Sequence, residues 1–312
     1  MDPQPFWLKH SDPSLAKYTM RSVDGMPPVL VPLLIWVLDY ATRIQPPQAG
    51  WKPRYDAFEL FAGQAAISCG CAAAGLNAVA YDIEYGPSND IMNESGFARA
   101  CELIMQASAH GMLWVGVVCS SWVWISRSGS GRSAESAEGF LQVPRIKSAN
   151  RMACHVTMLL LLGWRRGLTL FVEQPVSSVL GTFTPIAEMF AFAMPFTVTT
   201  SLAAFKATTP KVIKLWSSVP VDALYRPRIL TGQTLAYRSA NGSATGKKSI
   251  LKGSQAYPRL FGRAVAKIVK KRLEEKNIDD IFIDDIAEHI IVKPPKKGNK
   301  TKGVKKRPAT RL

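Results

Sequence analysis

The 312 residues carry 39 Lys and Arg against 23 Asp and Glu, a formal charge of +16, and 47% of them are apolar. This composition is that of a globular protein with one large domain or two small ones. No apolar run reaches the roughly 18 residues of a membrane-spanning helix. We therefore expect no membrane partner.

The positive charge is concentrated at the C-terminus. Lys293–Leu312 contains nine Lys or Arg and no acid, which leaves +7 for the other 292 residues. A segment rich in Pro, Gly and Lys buries too little apolar surface to become ordered. For residues 277–312 we therefore expect an acidic stretch and then a disordered basic tail. The tail would bind a polyanion such as nucleic acid, or act as a nuclear-import signal; the sequence leaves both uses open.

Five cysteines, an odd number, occur without the CxxC spacing of a zinc site, so we expect reduced thiols and no metal. The N-terminal Met1-Asp-Pro-Gln-Pro lacks the basic start and apolar core of a signal peptide. Both observations favour an intracellular protein, and the basic tail adds the nucleus as a destination.

Strand and helix patterns alternate through the middle of the chain. We expect a proline-rich lead-in over residues 1–52 with a helix near Val29–Thr42, and a domain over 53–276 that carries a small variable insert at 184–250. The predicted strands are Ala57–Phe61, Ala78–Ile83, Leu113–Val118 and Leu168–Glu173. The predicted helices are Gln64–Ala74, Ser95–Ala109, Ala149–Trp164 and Pro258–Lys276. Continuous apolar strands are typical of a sheet that helices cover on both faces, so the pattern predicts a doubly wound α/β fold.

The first predicted strand ends in a glycine turn. Phe61-Ala62-Gly63-Gln64 leads into a helix of small residues, and Asp82 ends the next strand 19 positions after Gly63. A glycine at this place lets the backbone approach a ligand, and the carboxylate can take ribose hydroxyls. The spacing therefore predicts a nucleotide-type cofactor site.

Other chemically active residues follow the predicted strands. Asp90 and Ile91 come shortly after the second strand, Cys119 follows the third, and Glu173 ends the fourth. Because parallel strands deliver their carboxyl ends to one edge of a sheet, we expect these residues to share a site.

These motifs together resemble those of the cytosine-C5 DNA methyltransferases. The matching segments, in chain order, are Leu60–Gly63, Asp82 with Asp90-Ile91, Val118–Trp122 followed by Ser126, Phe171–Pro175, and Tyr257–Val269. The resemblance implies a Rossmann-like class I methyltransferase fold with a mostly parallel seven-stranded sheet and helices on both faces. It also implies S-adenosyl-L-methionine as the cofactor, held by Phe61, Ala62, Gly63, Gln64, Asp82, Ile83, Asp90 and Ile91.

The resemblance further implies that Cys119 is a nucleophile for C6 of cytosine and that Glu173 holds the base, with DNA favoured over RNA. The chain departs from the family at Val118, Ser120 and Gln174, where the family has Pro, Gln and Asn. The predicted nucleic-acid contacts are Arg127, Arg132, Lys206 and Lys211. Two alternatives stay open: a nucleic-acid-binding protein that keeps the fold without the reaction, and a methyltransferase with a protein or small-molecule substrate.

Overall fold

A computed structural model of the chain describes residues 25–44, 53–229, 237–238, 244–245 and 255–289. The predicted basic tail, Lys293–Leu312, lies outside these residues, as does most of the predicted insert after residue 229. The chain divides into two compact units, Met1–Glu274 and Glu275–Leu312. No helix in the described ranges is both long and apolar enough to cross a membrane.

The main sheet of the α/β fold has six strands in the order β2-β1-β3-β4-β6-β5. The strands are β1 (Tyr55–Leu60), β2 (Ala78–Tyr81), β3 (Ala107–Val115), β4 (Thr169–Pro175), β5 (Phe196–Ser201) and β6 (Val212–Ser217). The first four are parallel, and β6 runs antiparallel between β4 and β5. A separate two-stranded ribbon joins β7 (Tyr237–Arg238) and β8 (Ala244–Thr245).

Seven α-helices accompany the strands in the described part of the chain. They are α1 (Leu30–Ile44), α2 (Ala66–Ala73), α3 (Glu94–Met105), α4 (Arg127–Ser130), α5 (Pro144–Arg165), α6 (Thr184–Ala193) and α7 (Arg259–His289). The last helix runs 13 residues beyond the predicted end at Lys276. The reason is that no Pro or Gly, the two strongest helix breakers, interrupts the chain over residues 277–289.

Alternate residues of the strands supply two apolar cores, one on each face of the sheet. Phe58 and Leu113 contribute to the core that α1, α3, α5 and α6 cover. Ala57 and Trp114, one position away in each strand, contribute to the core that α2 and α7 cover. Because side chains alternate between faces, strands buried on both sides read as continuous apolar runs. The prediction of an α/β sheet with helices on both faces is therefore confirmed.

The predicted count of seven strands is wrong for the described residues, which form six strands in a mixed sheet; five of them run in one direction and β6 runs opposite to them. Two 3₁₀ turns and α3, but no strand, lie between β2 and β3, and β2 is the edge strand of the described sheet. The segment 184–217, assigned to the start of the insert, forms α6, β5 and β6. The last two complete the main sheet.

Two element boundaries also differ from the prediction. Residues 107–109 were predicted as the end of a helix, but they form the start of β3. The chain pairs with β1 as soon as α3 ends. There the Gln106 carbonyl accepts the N–H of Arg54, and Tyr55 pairs with Ala107. Pairing with a neighbouring strand outweighs the helical preference of Ala107 and Ala109, because tertiary context overrides propensity. Helix α5 starts at Pro144, five residues before its predicted start, since proline is favoured in a first turn.

Helices α2 and α7 approach each other through two glycines. A Cβ on Gly262 would overlap the carbonyl oxygen of Ala66, and one on Gly70 would overlap the backbone of Gly262. Phe261 and Val265 of α7 are fully buried beside this contact. The two backbones therefore lie as close as glycine allows.

We predict that Gly262→Ala destabilises the protein, although alanine is the better helix former by about 1 kcal/mol. The overlap is with backbone atoms that no rotamer change can move aside, and overpacking of this kind costs about 1–3 kcal/mol or more. Urea denaturation will measure the change in the free energy of unfolding. The exposed Lys267→Ala on the same helix is the matched control. Equal stability of both variants would contradict the close approach.

Candidate functional site

The order of the strands reverses between β1 and β3. From β1 the chain moves to β2 on one side, and it then returns to place β3 and β4 on the other side. In open α/β sheets, ligands bind outside the carboxyl ends of the strands at such a reversal. The candidate site therefore lies where β1 and β3 end, at Phe61–Gly63 and Gly116–Cys119.

The loop after β1 has an unusual backbone. Phe61, Gly63 and Ala65 all have positive φ angles, of 61°, 51° and 54°. A bulky or branched side chain rarely adopts this conformation, and such strain concentrates at ligand-binding loops. No atom lies within 4 Å of the position that a Cβ of Gly63 would take, so the space above this residue is open.

Asp82 fixes this loop from the end of β2. Its Oδ2 accepts the N–H of Gly63 at 2.9 Å, and its Oδ1 accepts the N–H of Glu84 at 2.8 Å. The strand ends at Tyr81 because the second of these bonds starts a 3₁₀ turn. A carboxylate has about four acceptor positions, so two remain for a ligand.

Apolar and acidic side chains border the same loop. Ile83 is 58% exposed and Tyr85 is 46% exposed, while Ile91 is buried. The hydroxyl of Tyr85 donates to the carbonyl of Gly63 at 2.6 Å. Asp90 accepts the N–H of Met92 at 2.9 Å. Of the eight predicted cofactor residues, Ala62 and Ile91 are buried, whereas the others remain at least partly accessible.

Glu59 lies beneath the loop and is fully buried in β1. Its carboxylate accepts the N–H groups of Ser68 at 2.7 Å and of Ile67 at 3.4 Å, in the first turn of α2. Burial raises the pKa of Glu59; the hydrogen bonds from Ser68 and Ile67 oppose this, and the charge of Asp82 adds to it. The carboxylate thus ties α2 to β1, the strand that leads into the Phe61–Ala65 loop.

A second group of polar side chains surrounds the end of β4. Glu173 is only 4% exposed, its Oε2 accepts the hydroxyl of Tyr257 at 2.6 Å, and its Oε1 lies 3.5 Å from Nζ of Lys211. Lys211 comes directly before β6, which is antiparallel, so the first residues of β6 lie at the edge where β4 ends. The N–H of Val176 donates to the carbonyl of Val212 at this place.

Cys119 belongs to the same group. The thiol is partly buried and lies in the turn after β3. In this turn the backbone carbonyl of Cys119 accepts the N–H of Trp122 at 2.9 Å. Burial raises the pKa of Cys119, the charge of Lys211 opposes that rise, and Glu173 adds to it. The structure thus brings Cys119, Glu173 and Lys211 within electrostatic range of one another.

Gln174 connects the ends of β3 and β4 on the opposite face. Its amide nitrogen donates to the carbonyl of Val117 at 2.6 Å, and its amide oxygen accepts the hydroxyl of Ser178 at 2.9 Å. The side chain is fully buried. It therefore fixes the backbone two residues before Cys119.

A cavity of about 270 Å³ lies beside this turn. Five hydroxyls and one guanidinium contribute to its wall, and no carboxylate does: Ser120, Ser121, Ser126, Ser130, Ser148 and Arg145. Arg145 also donates to the carbonyl of Gly129 at 3.0 Å. Val118, Ile146, Ala149 and Met152 form the rest of the wall, so the cavity combines an apolar surface with one cation, Arg145.

The four residues predicted to contact nucleic acid differ from one another in exposure and in partners. Arg127 and Lys206 are exposed, while Lys211 pairs with Glu173. Arg132 is 2% exposed, its guanidinium lies 3.5 Å over the ring of Trp122, and it donates to the carbonyls of Ala137 and Ile146. Burial lowers the pKa of Arg132 to about 10. Its guanidinium holds the 127–146 loop together and does not face solvent.

Sequence reasoning missed three residues of this region: Glu59, Tyr257 and Gln174 as a connector. An acid inside an apolar strand was a visible signal for Glu59, because a buried charge needs partners. Nothing in the local sequence links Tyr257 to Glu173, since 84 residues separate them.

Comparison with known proteins adds no assignment: neither profiles of protein families nor curated protein sequences match this chain. Within the described residues, no cluster of three or more His, Cys, Asp or Glu side chains is arranged to hold a metal ion. The interpretation of the site rests on its geometry and on the motifs.

We predict that Glu59 makes the stability of the protein fall as the pH rises. The raised pKa means that the folded state binds this proton more tightly than the unfolded chain does. Stability from this group is therefore greatest below about pH 4.3, the ordinary glutamate pKa, and falls toward the raised value. Urea denaturation at a series of pH values from about 4.3 upward will measure the decrease in the free energy of unfolding.

Glu59→Gln should remove this component of the pH dependence, because glutamine does not titrate. Glu274→Gln on the exposed face of α7 controls for the loss of one charge. An unchanged pH profile in Glu59→Gln would show that another group is responsible.

Proposed function

We propose that this protein is an S-adenosylmethionine-dependent methyltransferase with a Rossmann-like class I fold. Its substrate is a base in nucleic acid, and the favoured target atom is C5 of cytosine in DNA. One observation carries the proposal. The thiol of Cys119 and the carboxylate of Glu173 lie at one edge of the sheet. The loop after β1, which Asp82 fixes through the N–H of Gly63, lies at the same edge. The sequence motifs of the cytosine-C5 methyltransferases assign a nucleophile and a base-binding acid to these two positions.

The loop after β1 fits the proposed cofactor. The open space over Gly63 admits a ligand against the backbone, and Asp82 retains acceptor positions for two ribose hydroxyls. The exposed side chain of Ile83 offers an apolar surface to a purine ring. When bound, S-adenosylmethionine supplies an electrophilic methyl group.

The protein's own residues would then act on the base. Sγ of Cys119, once it has lost its proton, adds to C6 of the pyrimidine, which makes C5 nucleophilic. After C5 has taken the methyl group, it loses its proton to water and the Sγ–C6 bond breaks, which restores the pyrimidine ring and the free cysteine. Lys211 is the cation that favours the thiolate, and its charge already opposes the rise in the pKa of Cys119. Glu173 accepts a hydrogen bond from the N4 amino group. A base within a duplex must first leave the stack, at a cost of a few kcal/mol.

Nucleic acid as the substrate is supported by the charge around the site. Arg127 is exposed on α4, and Arg145 lines the serine-rich cavity beside Cys119. Hydroxyls and guanidinium groups are the usual partners of phosphate oxygens. The basic tail would add contacts that are insensitive to sequence and sensitive to salt.

A second candidate is a nucleic-acid-binding protein that keeps the cofactor site without the reaction. The specific observation in its favour is the raised pKa of Cys119, because a protonated thiol is a poor nucleophile. Val118, which stands before the cysteine where the family has proline, is 48% exposed.

We predict that Cys119→Ser abolishes methyl transfer to DNA and leaves cofactor affinity unchanged, since a hydroxyl is far less ionised than a thiol. Transfer of labelled methyl groups to DNA and RNA measures turnover. An oligonucleotide with 5-fluorocytosine should trap the wild type covalently and spare the variant.

Cys154→Ser is the matched control, because this thiol is also partly buried but lies on α5. Full activity of Cys119→Ser would rule out the C5 reaction and leave methylation at another atom. Nucleic-acid binding without any turnover of the wild type would favour the second candidate.

A further inference from the structure

Tyr257 occupies the turn before α7 and is confined on several sides. Its ring meets Trp114 edge-on at 5.6 Å between centroids, and it lies 5.7 Å from the ring of Phe261. Gly116, just after β3, leaves room for the hydroxyl, since a Cβ there would lie 2.7 Å from the oxygen. The position of the hydroxyl is thus set by β3, by α7 and by the absence of a side chain at residue 116.

The hydroxyl acts as a donor to one oxygen of Glu173. The bond to Oε2 is 2.6 Å long. Burial, and next the charge of Glu173, raise the pKa of Tyr257 well above its ordinary value, so the phenol keeps its proton at neutral pH. A short hydrogen bond to a carboxylate is among the stronger ones in proteins.

The other oxygen of Glu173 is in a different situation. Oε1 is buried and receives no hydrogen bond in the structure, and its nearest charged partner is Nζ of Lys211 at 3.5 Å. A buried polar atom of this kind normally has a hydrogen-bond partner. Oε1 therefore keeps an acceptor position that no hydrogen-bond donor fills in the structure.

We infer that Tyr257 is a positioning residue for Glu173: it holds Oε2 and thereby presents Oε1 to the amino group of the substrate base. This inference rests on the proposed function and specifies how its base-binding acid is oriented. Tyr257 acts only through the carboxylate and does not touch the base. Gly116 serves the same end by giving the hydroxyl access to Oε2.

Tyr257→Phe removes the hydroxyl and keeps the ring in the aromatic cluster. We expect kcat for methyl transfer to DNA to fall about tenfold or more, the effect of a lost hydrogen bond to a charged group. The affinity for S-adenosylhomocysteine should stay within about twofold of the wild type, because the cofactor loop is a separate part of the site. Tyr40→Phe, which removes a hydroxyl bonded to the carbonyl of Glu94 at 3.3 Å, is the control and should keep full activity.

A double-variant cycle separates positioning from a purely structural role. In a Glu173→Gln background, Tyr257→Phe should cause little further loss, since its effect passes through the carboxylate. A structural role would lower activity by the same factor in both backgrounds and would reduce cofactor affinity as well. Either result overturns the inference.

The same experiment distinguishes failure of this inference from failure of the proposed function. If the wild type transfers methyl groups and Tyr257→Phe matches it, only the role of Tyr257 is wrong. If the wild type transfers none to DNA or RNA, the proposed function is wrong, and the inference about Tyr257 falls with it.

Discussion

The reversal of strand order between β1 and β3 determines where the polar side chains of the candidate site lie. Four parallel strands deliver their carboxyl ends to one edge, and the antiparallel β6 brings the residues that precede it to the same edge. Without that antiparallel strand, Lys211 would lie at the far end of the sheet from Glu173. Four side chains from distant parts of the chain lie at this edge because each one follows or precedes a strand that ends or begins there. They are Asp82, Cys119, Glu173 and Lys211.

Close packing of helices α2 and α7 and of strand β1 supports this edge of the sheet. Gly70 and Gly262 let α2 and α7 touch, and α7 follows directly after Tyr257. Glu59 in turn ties the first turn of α2 to β1. The first contact joins two helices and the second joins a helix to β1, the strand that ends at the site.

Much of this arrangement was predictable from the sequence. The glycine turn at Gly63 and the acid at Asp82 follow from spacing and strand pattern alone, and in the structure the backbone N–H of Gly63 donates to the carboxylate of Asp82. Local patterns carried this information because the residues involved are only 19 positions apart.

Other features depend on contacts that no local pattern encodes. Arg132 reads as a free basic residue in a polar loop, but it is buried over Trp122. The start of β3 at Ala107 is dictated by pairing with β1, and the partnership of Tyr257 with Glu173 requires the whole sheet to form. In each case tertiary contacts outweigh the local composition.

The most direct test of this account is a calorimetric titration of S-adenosylhomocysteine into the wild type and into Asp82→Ala. We expect saturable binding to the wild type and a loss of about 1–3 kcal/mol in the variant, the value of a hydrogen bond to a charged group. No binding to the wild type, or equal affinity in both proteins, would contradict the assignment of the Gly63–Asp82 loop as the cofactor site.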